Sequence, residues 1–319
     1  MKNINDIIIR RLIDRRQINK AVRENPELRI KTDDGIYEQK IIDIAEYAAS
    51  EENNIKIIML AGPSGSGKTT TANMLKRRFG FMGISSDIIS LDHFYLKPEK
   101  FPKNPDGTPD FESVYALDLE LMHKCFIELI STGESTIPYF SFTGGGRIGS
   151  RDIKIAKNGV VVVEGIHALN PLIIETLPAD SLLKIYVSVE SGIFEDDELI
   201  FSPRDLRLVR RMIRDSIFRN ATVERTLEMW DGVIRGEKEY LYVHKDTADV
   251  DINSMHSYEP CLFRNRALKL LEDVDESSPF YSKVYELINA INPFEALDED
   301  LVPPPSLLRE FIGGGIYDY

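Results

Sequence analysis

The segment Gly62-Pro63-Ser64-Gly65-Ser66-Gly67-Lys68-Thr69 decides the fold, because it fits the pattern G-x-x-x-x-G-K-[ST] at every position. Glycines let such a loop turn tightly and point successive backbone N–H groups inward, which creates a concave site for anions. A helix that starts at the end of the loop adds its positive N-terminal end. The segment is therefore predicted to be a phosphate-binding loop (P-loop).

The sequence around the P-loop has the context that this motif needs. Residues 55–61 form a short apolar run rich in β-branched side chains, which is typical of a buried parallel strand. A helix is predicted from about residue 67 to 79. A glycine-rich turn that contained Lys-Thr by chance would not need this strand and this helix.

The rest of the chain alternates predicted strands with predicted helices, which indicates βαβ units and a parallel sheet. The fold class is therefore α/β: a three-layer P-loop kinase fold with a parallel central sheet, a helical N-terminal lead-in and a helical lid. We expect a helical extension at 1–54, with helices at 4–23 and 37–50 and a turn at 32–35, a kinase domain at 55–292 and a C-terminal tail at 293–319. Further strands are predicted at 87–91, 159–165, 182–187 and 250–252, and a strand or hairpin at 136–142 is followed by a flexible stretch at 144–146. A loop is predicted at 97–110, and helices are predicted at 118–131, 204–219 and 223–235.

Composition narrows the classes of partner. The 319 residues are 43% hydrophobic and 29% charged, with a formal net charge of −13, which argues against a general nucleic-acid binder. No apolar run approaches the roughly 20 residues that span a bilayer. Two distant cysteines indicate buried thiols in a reducing compartment. We expect a cytoplasmic protein with no nucleic-acid or membrane partner, and a homo-oligomer stays open.

Two carboxylates lie where a P-loop kinase needs them. Asp92 follows one predicted strand, and Glu164 ends the run of four valines that forms another. Ligands bind at the carboxyl ends of parallel strands. One acid would help Thr69 to hold Mg²⁺, and the other would accept the proton of the attacking hydroxyl. The alternatives are that Asp92 caps a turn and that Glu164 pairs with an arginine.

Four arginines share one face of the predicted helix at 204–219. Such like charges repel one another unless an anion lies between them, and the triphosphate of ATP would be that anion. Lys68 would reach its β- and γ-phosphates. The alternative is a solvated face that pairs with Asp205 and Asp215. The four residues are Arg207, Arg210, Arg211 and Arg214.

Several segments together resemble the uridine kinase and phosphoribulokinase group of P-loop kinases. These are GPSGSGKTT (62–70), SLDHFY (90–95), DFESVYALD (110–118), VVVVEGIHALNP (160–171) and RLVRRMIRD (207–215). The resemblance covers about residues 37–319, including the ending PPPSLLREFIGGG (303–315), and looks closest to a bacterial branch that often carries an N-terminal TGS domain. Only about 36 residues precede the region of resemblance, so we expect that domain to be absent.

The resemblance implies a role for each matching residue, with ATP and Mg²⁺ as cofactors and a small-molecule hydroxyl as acceptor. Asp92 is the implied base, acting with Lys68, Arg210 and Arg214 in catalysis. Thr69, Glu164 and Asp92 would organise the metal. The implied ATP site is residues 62–70, ending in Thr70, together with Arg211, and the implied acceptor contacts are Tyr95, Phe111, Glu112, Phe140, Arg147 and Arg207.

The departures from the family pattern concern the acceptor. Glu112 replaces an aspartate that holds the sugar hydroxyls. Phe140 and Gly145 stand where human-type uridine-cytidine kinases have a tyrosine and a histidine that read the pyrimidine. Removing such hydrogen-bonding groups removes discrimination. A pyrimidine nucleoside is the favoured acceptor, another sugar or polyol is the first alternative, and a slow ATP-hydrolysing switch is the second.

Overall fold

The computed structural model describes residues 13–104, 107–141 and 146–317. The strands are β1 (Ile13–Asp14), β2 (Ile57–Ala61), β3 (Ser86–Ser90), β4 (Glu134–Ser141), β5 (Gly146–Lys154), β6 (Val160–Glu164), β7 (Leu182–Ser188), β8 (Ile193–Glu195), β9 (Glu198–Phe201) and β10 (Val250–Asn253). The α-helices are α1 (Arg15–Glu24), α2 (Pro26–Ala49), α3 (Lys68–Phe81), α4 (Leu119–Thr132), α5 (Pro171–Ile174), α6 (Pro203–Phe218), α7 (Val223–Gly236), α8 (Glu259–Glu272), α9 (Tyr281–Ile291) and α10 (Arg309–Ile312).

The central sheet has five parallel strands in the order β10-β7-β2-β6-β3. Parallel strands need crossover connections, and helices cover both faces of this sheet. Side chains of β6 alternate between the faces: Val160 and Val162 join the core with α2, α3 and α6, whereas Val161 and Val163 join the core with α4 and α5. The predicted three-layer α/β fold is confirmed.

The predicted turn at 32–35 is wrong, because α2 runs straight through it. The chain breaks earlier, where the Asn25 side chain accepts the Leu28 N–H and Pro26 occupies the first helical turn. Gly35 weakens a helix interior by about 1 kcal/mol. Burial of the apolar face of α2, which includes Tyr37 and Ile41, overrides that weak preference.

The start of the predicted first helix lies outside the described residues, and the described helix α1 begins only at Arg15. The predicted strand or hairpin is an antiparallel pair of β4 and β5, in which Phe140 lies opposite Arg147. Gly145, which stands where related kinases have a histidine, lies outside the described residues. Most of the stretch at 144–146 that was expected to be flexible also lies outside them. Among the described residues, no helix is long and apolar enough to cross a membrane.

The C-terminal segment packs into the main core. Leu308 and Phe311 are fully buried beside α6, which is the predicted lid helix and is itself buried along most of its length. This packing brings residues close to the end of the chain next to the P-loop.

Candidate active site

The P-loop connects β2 to α3 and places its backbone against two other segments. Gly65 and Gly67 have φ of +73° and +89°, the left-handed region that side chains disfavour. A Cβ at Gly65 would lie 2.8 Å from the Arg207 carbonyl oxygen, and one at Gly67 would lie 2.8 Å from Leu307 Cδ1. Both glycines therefore serve the loop conformation and its close packing.

Lys68 opens α3 with its ammonium group inside the loop. Its Nζ donates to the Pro63 carbonyl oxygen at 3.1 Å. Burial lowers the pKa of Lys68, and the nearby carboxylates of Glu164, Glu310 and Asp92 oppose that shift. The ammonium therefore lies among acids at the position predicted for a phosphate contact.

Asp92 and Glu164 meet at the carboxyl edge of the sheet. Ser90 lies beside Glu164 in the pairing of β3 and β6, and Asp92 follows two residues later in a 3-10 turn. Burial and repulsion by Asp92 raise the pKa of Glu164 to about 7, while Lys68 opposes the shift. Asp92 is open to solvent, yet the surrounding protein raises its pKa, again against Lys68. This combination places Asp92 in an open cleft.

The donors around this pair fit a magnesium ion. Glu164, Asp92 and the Thr69 hydroxyl supply hard oxygen atoms, which Mg²⁺ prefers. The two carboxylates repel each other, and a divalent cation would relieve that repulsion. No group of three or more His, Cys, Asp or Glu suited to a metal occurs among the described residues.

Arg207 supports the P-loop through contacts with Ser64 and Glu237. Its guanidinium forms a buried bidentate ion pair with Glu237, with N–O distances of 2.7 and 2.8 Å, and also donates to the Ser64 carbonyl oxygen. Glu237 in turn accepts the Ser64 N–H at 3.0 Å. The structure therefore gives Arg207 partners within the protein, and its predicted acceptor contact stays a prediction.

Arg210 is likewise paired within the protein. Its side chain is 0% exposed and pairs with Glu259, which is also fully buried. The remaining donors bind the Gly65 carbonyl oxygen and Ser254. A guanidinium that is enclosed and hydrogen-bonded in this way supports the loop, and its predicted catalytic role stays a prediction.

Arg211 and Arg214 lie closer to the predicted role. Arg211 donates to the Ser64 hydroxyl at 3.0 Å, and its Nε lies 3.3 Å from an Asp215 carboxylate oxygen. Arg214 binds the Asp215 carboxylate, which also lies 3.4 Å from Arg219. Arg219 acts electrostatically on Asp92, so α6 brings cations to the rim of the cleft.

The predicted acceptor residues form a second wall near Asp92. Burial raises the pKa of Glu112 to about 7, and Arg211 opposes that shift. Tyr95 is buried and packs against Phe140, with the ring centres 5.7 Å apart and the rings tilted by 52°. Its hydroxyl donates to the Phe111 carbonyl oxygen. Phe111 itself is 47% exposed. Glu112 and Phe111 are therefore the members of this set best placed to meet a ligand.

Arg147 lies on the hairpin and binds Asp118, the residue that caps α4, at 2.8 Å. This ion pair gives Arg147 a partner within the protein. The structure does not bring Arg147 together with Glu112 through any described contact.

Three site residues escaped prediction. Glu237 and Glu310 bind the P-loop from distant segments, which no local pattern reveals. His167 lies three residues after Glu164, and both of its ring nitrogens are buried. Neither nitrogen makes a well-aligned hydrogen bond with a described residue, although the nearby Glu112 backbone favours the protonated ring. Burial lowers the pKa of His167 to about 4, so the ring is a neutral imidazole.

The sequence of this chain is similar to known kinases. The sequence model of the phosphoribulokinase / uridine kinase family matches residues 57–259, more than half of the chain. Uridine kinase of Saccharomyces cerevisiae is 31% identical over 181 residues, which cover 56% of this chain and 32% of the yeast protein. Uridine kinase of Staphylococcus haemolyticus is 26% identical over 200 residues, which cover 62% of this chain and 87% of that protein.

Among solved structures, phosphoribulokinase from Rhodobacter spheroides aligns with a TM-score of 0.43 and 18% identity, over 62% of this chain and 70% of that one. This structural similarity is too low to add support. The family match instead covers the P-loop, both strand-end acids and α6. The chain therefore belongs to the phosphoribulokinase / uridine kinase family.

Proposed function

We propose that this protein is an ATP-dependent kinase that transfers the γ-phosphoryl group to the 5′-hydroxyl of a pyrimidine nucleoside. As a member of its family, the chain is a phosphotransferase that acts on a hydroxyl group. One observation carries the proposal: the exposed Asp92 at the carboxyl edge of the sheet lies near enough to Lys68 of the P-loop for the two charges to act on each other. A base and a phosphate-binding cation so arranged suit direct transfer between two substrates.

The residues divide the work of the reaction. The P-loop amides and Lys68 hold the phosphates of ATP, and Arg211 and Arg214 lie at the rim, where negative charge develops during transfer. Asp92 accepts the proton of the acceptor hydroxyl, and its raised pKa makes it a stronger base. Bound Mg²⁺ would neutralise phosphate charge, with Thr69, Glu164 and Asp92 as the residues that hold it.

The acceptor side supports a hydroxyl-rich ligand. The half-buried Glu112 carboxyl accepts or donates hydrogen bonds near neutral pH, since its pKa is about 7. His167 adds a buried neutral imidazole beside the Glu112 backbone. The hydroxyl groups of a sugar ring can form hydrogen bonds with side chains of this kind. The kinases named uridine kinase among its relatives favour a nucleoside, and the loss of a tyrosine at Phe140 leaves a different sugar or polyol as the alternative.

The test is Mg²⁺-dependent ATP consumption with a panel of nucleosides, sugars and polyols, for the wild type and Asp92→Asn. We expect turnover that depends on uridine or cytidine and falls about 10²-fold or more in the variant, because the base is lost. Turnover with only a sugar or polyol would support the proposed mechanism but show that the acceptor is not a pyrimidine nucleoside. If ATP is hydrolysed at the same rate with every acceptor and in the Asp92→Asn variant, the proposed kinase activity is refuted.

A further inference from the structure

A carboxylate from the C-terminal segment binds the first turn of the P-loop helix. Glu310 Oε2 accepts the Thr70 N–H at 3.3 Å and the Thr70 hydroxyl at 2.5 Å. Glu310 lies on α10, about 240 residues away in sequence, and is only 5% exposed. The contact therefore depends on the folded C-terminal segment.

The group that Glu310 binds belongs to the phosphate site. Thr70 is the third residue of α3, and amides in the first turn of a helix have no partner within the helix. In a P-loop, these amides cradle the α- and β-phosphates. The carboxylate thus takes a hydrogen bond that a nucleotide phosphate would otherwise receive.

The segment that carries Glu310 is held rigidly. Leu307 packs on Gly67 of the loop, and Leu308 and Phe311 are fully buried. The Arg210 guanidinium lies 4.9 Å from the centre of the Phe311 ring. Because the backbone is anchored on both sides of Glu310, only rotation of its side chain could move the carboxylate away.

The charge of Glu310 also opposes an anionic ligand. No lysine or arginine of the described part of the chain forms an ion pair with this carboxylate. Glu310 nevertheless acts on Lys68 and, by repulsion, on Glu164. A nucleotide that enters the loop must therefore displace the carboxylate or accept its repulsion.

We propose that Glu310 is a built-in competitor of the nucleotide phosphates and lowers the affinity of the P-loop for ATP and ADP. This inference rests on the proposed nucleotide site. It makes Glu310 the residue that sets the nucleotide concentration at which the enzyme works, and it makes the C-terminal segment part of the ATP site.

The test is calorimetric titration of ADP, with Mg²⁺ and with EDTA, into the wild type, Glu310→Gln and Glu295→Gln. Glu295→Gln is the matched control, because Glu295 also lies in the C-terminal part of the chain. This substitution removes the same charge from a partly exposed ion pair with Arg23. We expect Glu310→Gln to bind ADP about tenfold more tightly under both conditions, because the competing charge is gone. Adenosine, which has no phosphate, should bind the three proteins equally.

Equal or weaker ADP binding by Glu310→Gln would overturn the proposal and assign the carboxylate a supporting role. If that variant does not fold, Glu310→Asp replaces it in the test, because the shorter side chain withdraws the carboxylate from Thr70. Tighter ADP binding by Glu310→Asp supports the proposal, and unchanged binding overturns it. Failure of the wild type and all variants to bind ADP would instead refute the nucleotide site, and both proposals with it.

Discussion

The buried ion pair between Arg210 and Glu259 offers a quantitative test of why α6 has an arginine behind the P-loop. Both side chains are 0% exposed, with N–O distances of 2.6 and 3.1 Å. Glu259→Gln preserves the shape of the side chain and leaves the guanidinium without its counter-charge. Removing one partner of such a pair costs about 3–5 kcal/mol, so we expect the free energy of unfolding to fall by that amount.

The assay is urea unfolding followed by the fluorescence of Trp230, the only tryptophan. Glu228→Gln is the matched control, because Glu228 pairs with Arg225 on the surface, where both side chains are about 60% exposed. That pair should contribute about 1 kcal/mol or less. A loss in Glu259→Gln no larger than in the control would refute the buried-pair argument and reopen a catalytic role for Arg210.

Two further predictions concern the loop and the acceptor wall. Gly67→Ala should lower the free energy of unfolding by about 1–3 kcal/mol, because Gly67 has a φ of +89° and a Cβ there would contact Leu307. The control is Gly35→Ala, which lies in open space within α2 and should raise the free energy of unfolding. Equal effects of the two substitutions in urea unfolding would contradict the prediction. Since the folded pKa of Glu112 is raised from 4.5 to about 7, the folded state holds a proton that the unfolded state has lost, and stability falls as pH rises through that window. Glu112→Gln should show a smaller loss between pH 4.5 and 7, and parallel curves for the two proteins would contradict the assignment.

The fold could be predicted from sequence because its signals are local. The P-loop pattern, the apolar run before it and the valines of β6 each specify one element, and parallel strands then bring Asp92 and Glu164 to one edge. The turn predicted at Gly35 failed because local preference competed with the burial of a long helix face. The helix propensity of single residues contains no information about that burial.

The arginines show what periodicity leaves undetermined. A spacing of three and four residues correctly places them on related faces of α6, but it does not tell whether a face meets solvent, phosphate or protein. The partners of Arg207 and Arg210 are Glu237 and Glu259, which lie 30 and 49 residues away in sequence. Only the tertiary structure brings these carboxylates to the helix.

The distribution of charge around the P-loop now has a physical explanation. Arg207 and Arg210 are each neutralised by one buried carboxylate, so they stiffen the loop without attracting a ligand. The Asp215 carboxylate, in contrast, is shared by the three guanidinium groups of Arg211, Arg214 and Arg219, which leaves positive charge in excess. With Lys68, that excess attracts phosphate in a protein whose net charge is −13. Glu310 acts against it at the first turn of α3, and the balance of the two sets how tightly a nucleotide binds.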